Sequence, residues 1–340
     1  MMHMNKFLWL LLLPTTLLAQ PRDINAFKAA ERMGRGVNIL GYDRIWESRA
    51  HGRFQPKYFR LLKEAGFSHV RLNLMPFRQM NATNNWALPP AWFETLDWVI
   101  QLAREQKLQV VLDLHEFTLI GEDPAAHKAP FLAFWRQVAE HCKNEREDVL
   151  FEILNEPSKK LTPELWNEFL HDALTLIRET NPRRTVIAGP AFWNSIDHLA
   201  ELELPAGDKH LIVTIHYYQP FNFTHQGASW ANLTDKTGVD WNGTEAEVKA
   251  IDADFDKAAA WAKQNKRPLY LGEFGAYDKA AMESRARYTA AVARAAEARN
   301  WSWAYWQFER DFFVYDVKRD AWVEPILHAL IPPRKSAARK

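Results

Sequence analysis

Residues 149–157 read Val149-Leu150-Phe151-Glu152-Ile153-Leu154-Asn155-Glu156-Pro157. The run is too short for a buried helix and is bounded by a proline, so it reads as a strand. It is apolar at nearly every position and does not alternate. That is the mark of a strand covered on both faces, as in a parallel sheet flanked by helices.

Working outward, the same unit recurs. Strands are expected at Gly36–Leu40, His69–Leu74, Gln109–Leu114, Val149–Leu154, Thr185–Ala188, Leu211–His216, Pro268–Gly272 and Ser302–Gln307. Helical spacing of apolar residues falls near 56–66, 90–107, 130–144, 163–180, 194–202, 245–265, 281–299 and 323–330. Pro56, Pro90, Pro130, Thr162-Pro163 and the pair Thr244/Glu247 supply helix starts. A short helix over Ile24–Met33, with Phe27, Ala30 and Met33 on one face, precedes the first strand. Eight βα units with short connections predict an α/β fold, a closed (β/α)8 TIM barrel. A doubly wound sheet fits less well. Its phosphate loop would need a third glycine after Gly34 and Gly36, where Ile39 stands.

Composition narrows the function. The chain has 340 residues, with 43 Lys plus Arg against 42 Asp plus Glu. A net charge of +1 offers no basic field for nucleic acid. The single Cys142 excludes an internal disulfide framework and a cysteine-built metal cluster. The unusual feature is 15 Trp beside 9 Tyr and 20 Phe. Indole rings build core, and on a cleft wall they stack on flat apolar faces such as that of a pyranose. At the start, Lys6 and the run Phe7-Leu8-Trp9-Leu10-Leu11-Leu12-Leu13, ending near Ala19, read as a signal peptide over 1–19. Residues 20–340 are then one catalytic domain, secreted to the extracellular space or the periplasm, with no membrane span after cleavage. A monomer is expected.

In such a barrel the chemistry lies where the strands end. Reading the polar residues after each run gives Arg71 on the second strand and Asp113-Leu114-His115-Glu116 on the third. The fourth gives Asn155-Glu156-Pro157, the sixth His216-Tyr217-Tyr218, and the seventh Gly272-Glu273-Phe274-Gly275. Trp306 closes the eighth. Glu156 and Glu273 therefore oppose each other across the barrel mouth. Two opposed carboxyls are what cleavage of a glycosidic bond requires, one to protonate the leaving oxygen and one to attack or activate water.

On these residues the chain resembles the family 5 glycoside hydrolases, a family of endoglucanases and related β-glycanases. The resemblance runs from Arg35-Gly36-Val37-Asn38 to Trp306. It implies Glu156 as acid/base and Glu273 as nucleophile of a retaining mechanism. It also implies Arg71, His115, Asn155, His216 and Tyr218 as supporting groups, with Trp306 under the sugar; Asn38 and Glu116 are further candidates along the substrate. The loop from His216 to Trp230 is similar to that of a branch holding endo-β-1,4-glucanases, some also active on β-mannan, and it adds His225 and Trp230 as sugar contacts. The expected partner is thus a β-glucan or β-mannan polysaccharide. Much of that branch has a second histidine where this chain has Glu116, which bears on substrate preference. Trp193 and Trp241 read as structural, and Trp46 is left outside the site.

Each role has a physical reason. A nucleophilic carboxylate must be ionised, so it needs donors and a cation, which Arg71 and the Tyr218 hydroxyl can supply. The like charge of Glu273 then favours a protonated Glu156. Other chemistries lack their parts. His115-Glu116 opens like a zinc protease motif, but position 119 is Leu; Asn38-Ile39-Leu40 stands where a metal barrel would carry His-x-His. Neither cofactor nor metal is expected. A sugar-binding protein without catalysis is disfavoured because both glutamates are present.

Overall fold

In a computed structural model, described over residues 25–333, eight parallel strands close into a barrel in chain order. They are β1 Arg35–Ile39, β2 His69–Leu74, β3 Gln109–Leu114, β4 Val149–Glu152, β5 Val186–Ala188, β6 Leu211–Tyr217, β7 Leu269–Phe274 and β8 Ser302–Tyr305. β1 pairs with both β2 and β8, so no edge is left open. The expected TIM barrel is the observed fold. The segment read as a signal peptide lies outside the described residues. Among those that are described, no helix is long and apolar enough to cross a membrane.

Alternation along the strands divides the barrel interior into an apolar floor and a polar upper layer. The floor is Val111, Leu150, Ile187, Ile212, Tyr270 and Ala304, all buried. Helix Ala26–Met33 seals it from below with Ala26, Ala29, Ala30 and Met33. Phe27, expected on that face, is exposed instead. The small alanines let the helix sit close under the strands, and a phenyl group there would hold it away. His69 joins floor to plug: Nδ1 meets the Met33 carbonyl at 2.7 Å and Nε2 meets the Tyr270 hydroxyl at 3.0 Å. Gly36 is required beside it, because a Cβ there would lie 2.2 Å from the imidazole.

The polar layer corrects one expectation. β2 is not uniformly apolar but alternates His69, Arg71, Asn73 with Val70, Leu72, Leu74, and all six are buried. Its polar members contact groups across the interior, and its apolar members belong to the core around it.

Two helical expectations also shift. The third crossover helix runs Pro124–His141, capped by Asp123 through the Ala126 N–H, so Pro130 is internal. The start signal lay at Asp123-Pro124, where proline needs no N–H at the first helical position. The stretch near 194–202 is a 3₁₀ turn, Ile196–Glu201, preceded by Phe192, Trp193 and Asn194 in left-handed conformations.

Met33 is fully buried in the plug and far from the strand C-termini. Met33→Ala should cost about 2–5 kcal/mol, lowering Tm by roughly 5–15 °C. Calorimetry checks the loss. Turnover at 25 °C should be unchanged, which separates the floor from the site.

Candidate active site

The site is organised by one side chain. Arg71, fully buried in β2, has five N–H donors, and each meets an oxygen. Nε and Nη2 bond the two Glu152 oxygens at 2.8 Å each. Nη2 also bonds Asn155 Oδ1 at 2.8 Å. Nη1 bonds Asn38 Oδ1 at 2.8 Å and Glu273 Oε1 at 2.7 Å. Asp113 lies 3.2 Å from Nη2. The guanidinium thus ties β1, β2, β4 and β7 together at the level where the barrel opens.

Glu273 is the carboxylate this scaffold presents. Its second oxygen accepts from the Tyr218 hydroxyl at 2.9 Å. Burial raises the Tyr218 hydroxyl far above its ordinary range, and the negative Glu273 adds to this, so it stays a donor. Burial raises Glu273 too, while Arg71 and the Tyr218 hydroxyl act against the rise.

Glu156 has no such support. Burial raises it well above the usual carboxylate range, and the charge of Glu273 raises it further. Its one strong contact is His216 Nδ1 at 2.9 Å. His216 is held well below its usual value by burial, then by the nearby Arg71 charge, and is therefore neutral. The Asn194 amide N–H donates to His216 Nε2 at 3.2 Å, which leaves the imidazole proton on Nδ1, facing Glu156. A register shift between Ile215 and His216 brings His216 level with Glu273. Gly272 makes room for it, since a Cβ there would lie 3.0 Å from His216 Nε2 and closer still to Thr214. Glu156 itself has φ +42, a strained backbone of the kind found at active sites.

One oxygen of each glutamate and a His216 nitrogen lie within 4.8 Å of one another. That spacing fits the ~5–5.5 Å of a carboxyl pair that attacks directly, not the ~6.5–9.5 Å that leaves room for water between them. The same three groups form a set of the kind that can hold a cation. Linear spacing hid it, because the three come from three separate strands. The nitrogen facing the carboxylates carries the proton, so it acts there as a donor and not as a ligand lone pair.

The remaining expected residues divide. His115 Nδ1 bonds Asp113 at 2.7 Å, leaving Nε2 for a substrate hydroxyl, and its ring stacks on Trp306 at 5.4 Å and 7°. Burial would raise Asp113, but Arg71, His115 and Asn73 hold it below its usual value. Glu116 is buried, accepts the Phe77 N–H at 2.7 Å, and is raised chiefly by burial. Trp230 is 56 % exposed on its loop, edge-on to Tyr277. His225 stacks on Phe221 at 4.1 Å, and burial lowers it to about 4. Asn38, expected along the substrate, is instead fully buried. Its amide donates to the Gly272 and Tyr305 carbonyls and its oxygen accepts from Arg71 and Asn73. It positions Arg71.

Glu152 and Asn194 were missed. Glu152 had a signal, a lone acid inside an apolar strand, which must be paired once buried. Asn194 had none in sequence. Trp193, read as structural, is 46 % exposed, and its backbone N–H donates to the Pro157 carbonyl beside Glu156. Trp46 and Trp241 are core.

Two close carboxyls in contrasting surroundings at the C-terminal rim of a (β/α)8 barrel are the arrangement of a glycoside hydrolase. The chain matches the model of the Cellulase family (glycosyl hydrolase family 5) over residues 30–311, and it belongs to that family. Endoglucanase H of Acetivibrio thermocellus is 28% identical over 326 residues, covering 93% of this chain and 34% of that protein. Endoglucanase C of the same organism is 27% identical, covering 84% and 94%. The chain spans about a third of endoglucanase H and 51% of endoglucanase 3 of Fibrobacter succinogenes. Among solved structures, Thermotoga maritima Cel5A in complex with cellobiose is 41% identical with a TM-score of 0.85, covering 90% of this chain and 100% of that one. The same enzyme has been solved with mannotriose, at 40% identity and a TM-score of 0.85.

Tyr218→Phe removes a donor that favours ionised Glu273, so the Glu273 pKa rises. Activity on the acid side should then be lost at higher pH, with that limb of kcat/KM moving up by about one unit. A pH–rate profile checks it; an unmoved or lowered acid limb contradicts the role.

Proposed function

We propose that this chain is a secreted, retaining endo-β-1,4-glucanase that cleaves internal bonds of cellulose or related β-glucans. The observation that carries this is the asymmetry of the carboxyl pair. Glu273 has a cation and a hydroxyl donor, while Glu156 has a neutral imidazole and a raised pKa. In the first step a Glu273 oxygen attacks the anomeric carbon while Glu156 gives its proton to the leaving glycosidic oxygen. In the second, Glu156, now a carboxylate, takes a proton from water, and that oxygen displaces Glu273. Two inversions leave the anomeric configuration unchanged. His216 holds Glu156 through its Nδ1–H, and His115 and Asn155 are placed to hold sugar hydroxyls.

A second reading, activity on β-mannan as well, has one observation in its favour: the T. maritima enzyme was solved with mannotriose as well as cellobiose. Glucose and mannose differ at the 2-hydroxyl, the group that Asn155 beside the acid can contact. The apolar run ending near Ala19 supports export, and N-terminal sequencing of the protein from an exporting host tests it.

Reducing-sugar release from soluble cellulose derivative, mixed-linkage glucan, xyloglucan and glucomannan should favour the β-1,4-glucans and persist in EDTA. Proton NMR of the first product should show the β-anomer. An initial α-anomer would contradict retention, and loss in EDTA restored by one divalent ion would contradict a metal-free reaction.

A further inference from the structure

One pair on the rim is used by none of the catalytic groups. Tyr42 follows β1, and Arg310 lies in the loop after β8. These strands are hydrogen-bonded neighbours, so their loops meet. The Arg310 guanidinium stands 4.8 Å from the centre of the Tyr42 ring, a cation–π contact. Both side chains are exposed, Tyr42 by 42 %. The pair borders the cleft. Burial lifts the Tyr42 hydroxyl to about 12, and the fields of Glu273 and, more weakly, Glu156 reach it.

Its place on the substrate follows from the barrel. Glu156, on the leaving-group side, extends β4, across the barrel from β1 and β8. Tyr42 and Arg310 therefore lie on the side of the sugars that stay attached to the anomeric carbon.

Among the described residues Arg310, like Arg49, Arg78 and Arg136, has no acidic partner, and what sets it apart from these is the tyrosine ring it stands over at the barrel rim. Arg32, Arg35, Arg60, Arg104, Arg178 and Arg299 each have a carboxylate within salt-bridge range. Among the described residues, no carboxylate comes that close to Arg310. Glu309, its neighbour, is buried and faces Arg53 at 3.6 Å, and Asp311 forms no ion pair with it. A guanidinium held against a ring, with its N–H groups bonded to no other described residue, can grip a planar carboxylate with two parallel hydrogen bonds. An unsubstituted glucan has only hydroxyls to offer it.

We propose that Tyr42 and Arg310 form a subsite for a carboxylate-bearing substituent on the retained portion of the β-glucan chain. Tyr42 holds the guanidinium at the rim, and Arg310 pairs the acid. The inference rests on the glucanase reading above and adds the class of substituted chain that the cleft prefers. It involves binding only.

The test compares carboxymethyl cellulose with hydroxyethyl cellulose, a neutral polymer of the same backbone, for the full-length wild type and Arg310→Gln. At low ionic strength the variant should lose about 3- to 10-fold in kcat/KM on the carboxymethylated polymer. It should change by less than about 2-fold on the neutral one, and its Tm should equal that of the wild type. At about 0.5 M salt the difference between polymers should shrink, because an exposed ion pair is screened. Equal losses on both polymers would assign Arg310 to loop or sugar positioning and overturn the inference alone, as would no loss on carboxymethyl cellulose. A wild type inactive on both polymers would overturn the glucanase reading and this inference with it.

Discussion

The site depends on one buried cation. Arg71 sits with no exposed surface among Glu152, Asp113 and Glu273, and its five donors are all matched. Such a cluster is weak evidence for stability, because removing ions from water costs about as much as their attraction returns. Its value is geometric. The planar fork fixes each partner in two directions at once. Glu273 is therefore held ready, and no side-chain reorganisation is needed when charge moves during reaction. Glu152 takes two of the five donors and never meets substrate. Asn38 takes another. Both keep the guanidinium from turning.

The polarity of the barrel interior follows from the same demand. Below Arg71 the inward positions are mostly apolar, the one imidazole there, His69, being bonded to the Met33 carbonyl and the Tyr270 hydroxyl, and the plug helix closes the floor. At and above it they are Asn38, Asn73, Asp113, Glu152 and His216, nearly all bonded to one another or to Arg71. The low floor thus supplies rigidity, and the upper layer supplies field and direction. Backbone strain sits at the same level. Glu156 and the run Phe192–Asn194 have positive φ without being glycine. These conformations cost about 1–3 kcal/mol each. The Asn194 bond to His216 and the Trp193 bond to the Pro157 carbonyl hold them.

Much of this was legible in sequence, for identifiable reasons. Apolar runs ending in polar residues marked the strands. Asn155-Glu156-Pro157 and Gly272-Glu273 marked the two carboxyls, since function puts unusual residues where strands end. What stayed hidden was pairing across the interior. Asn38 carried a family resemblance that suggested substrate contact, but a fully buried amide with every bond used can only act as a support. Asn194 was invisible because its placement depends on a left-handed turn that no glycine announced. The helix start at Asp123-Pro124 was present in the sequence, but Pro130 gave a competing signal seven residues later.

The central claim is that Arg71 and Tyr218 make Glu273, and not Glu156, the attacking carboxylate. A 2-deoxy-2-fluoro cellobioside with a good leaving group slows the second step and traps the covalent intermediate. Peptide mass spectrometry of the inactivated protein should place the sugar on Glu273, with one label per chain. A label on Glu156 or another carboxylate, or time-dependent inactivation that survives Glu273→Gln, would contradict the account.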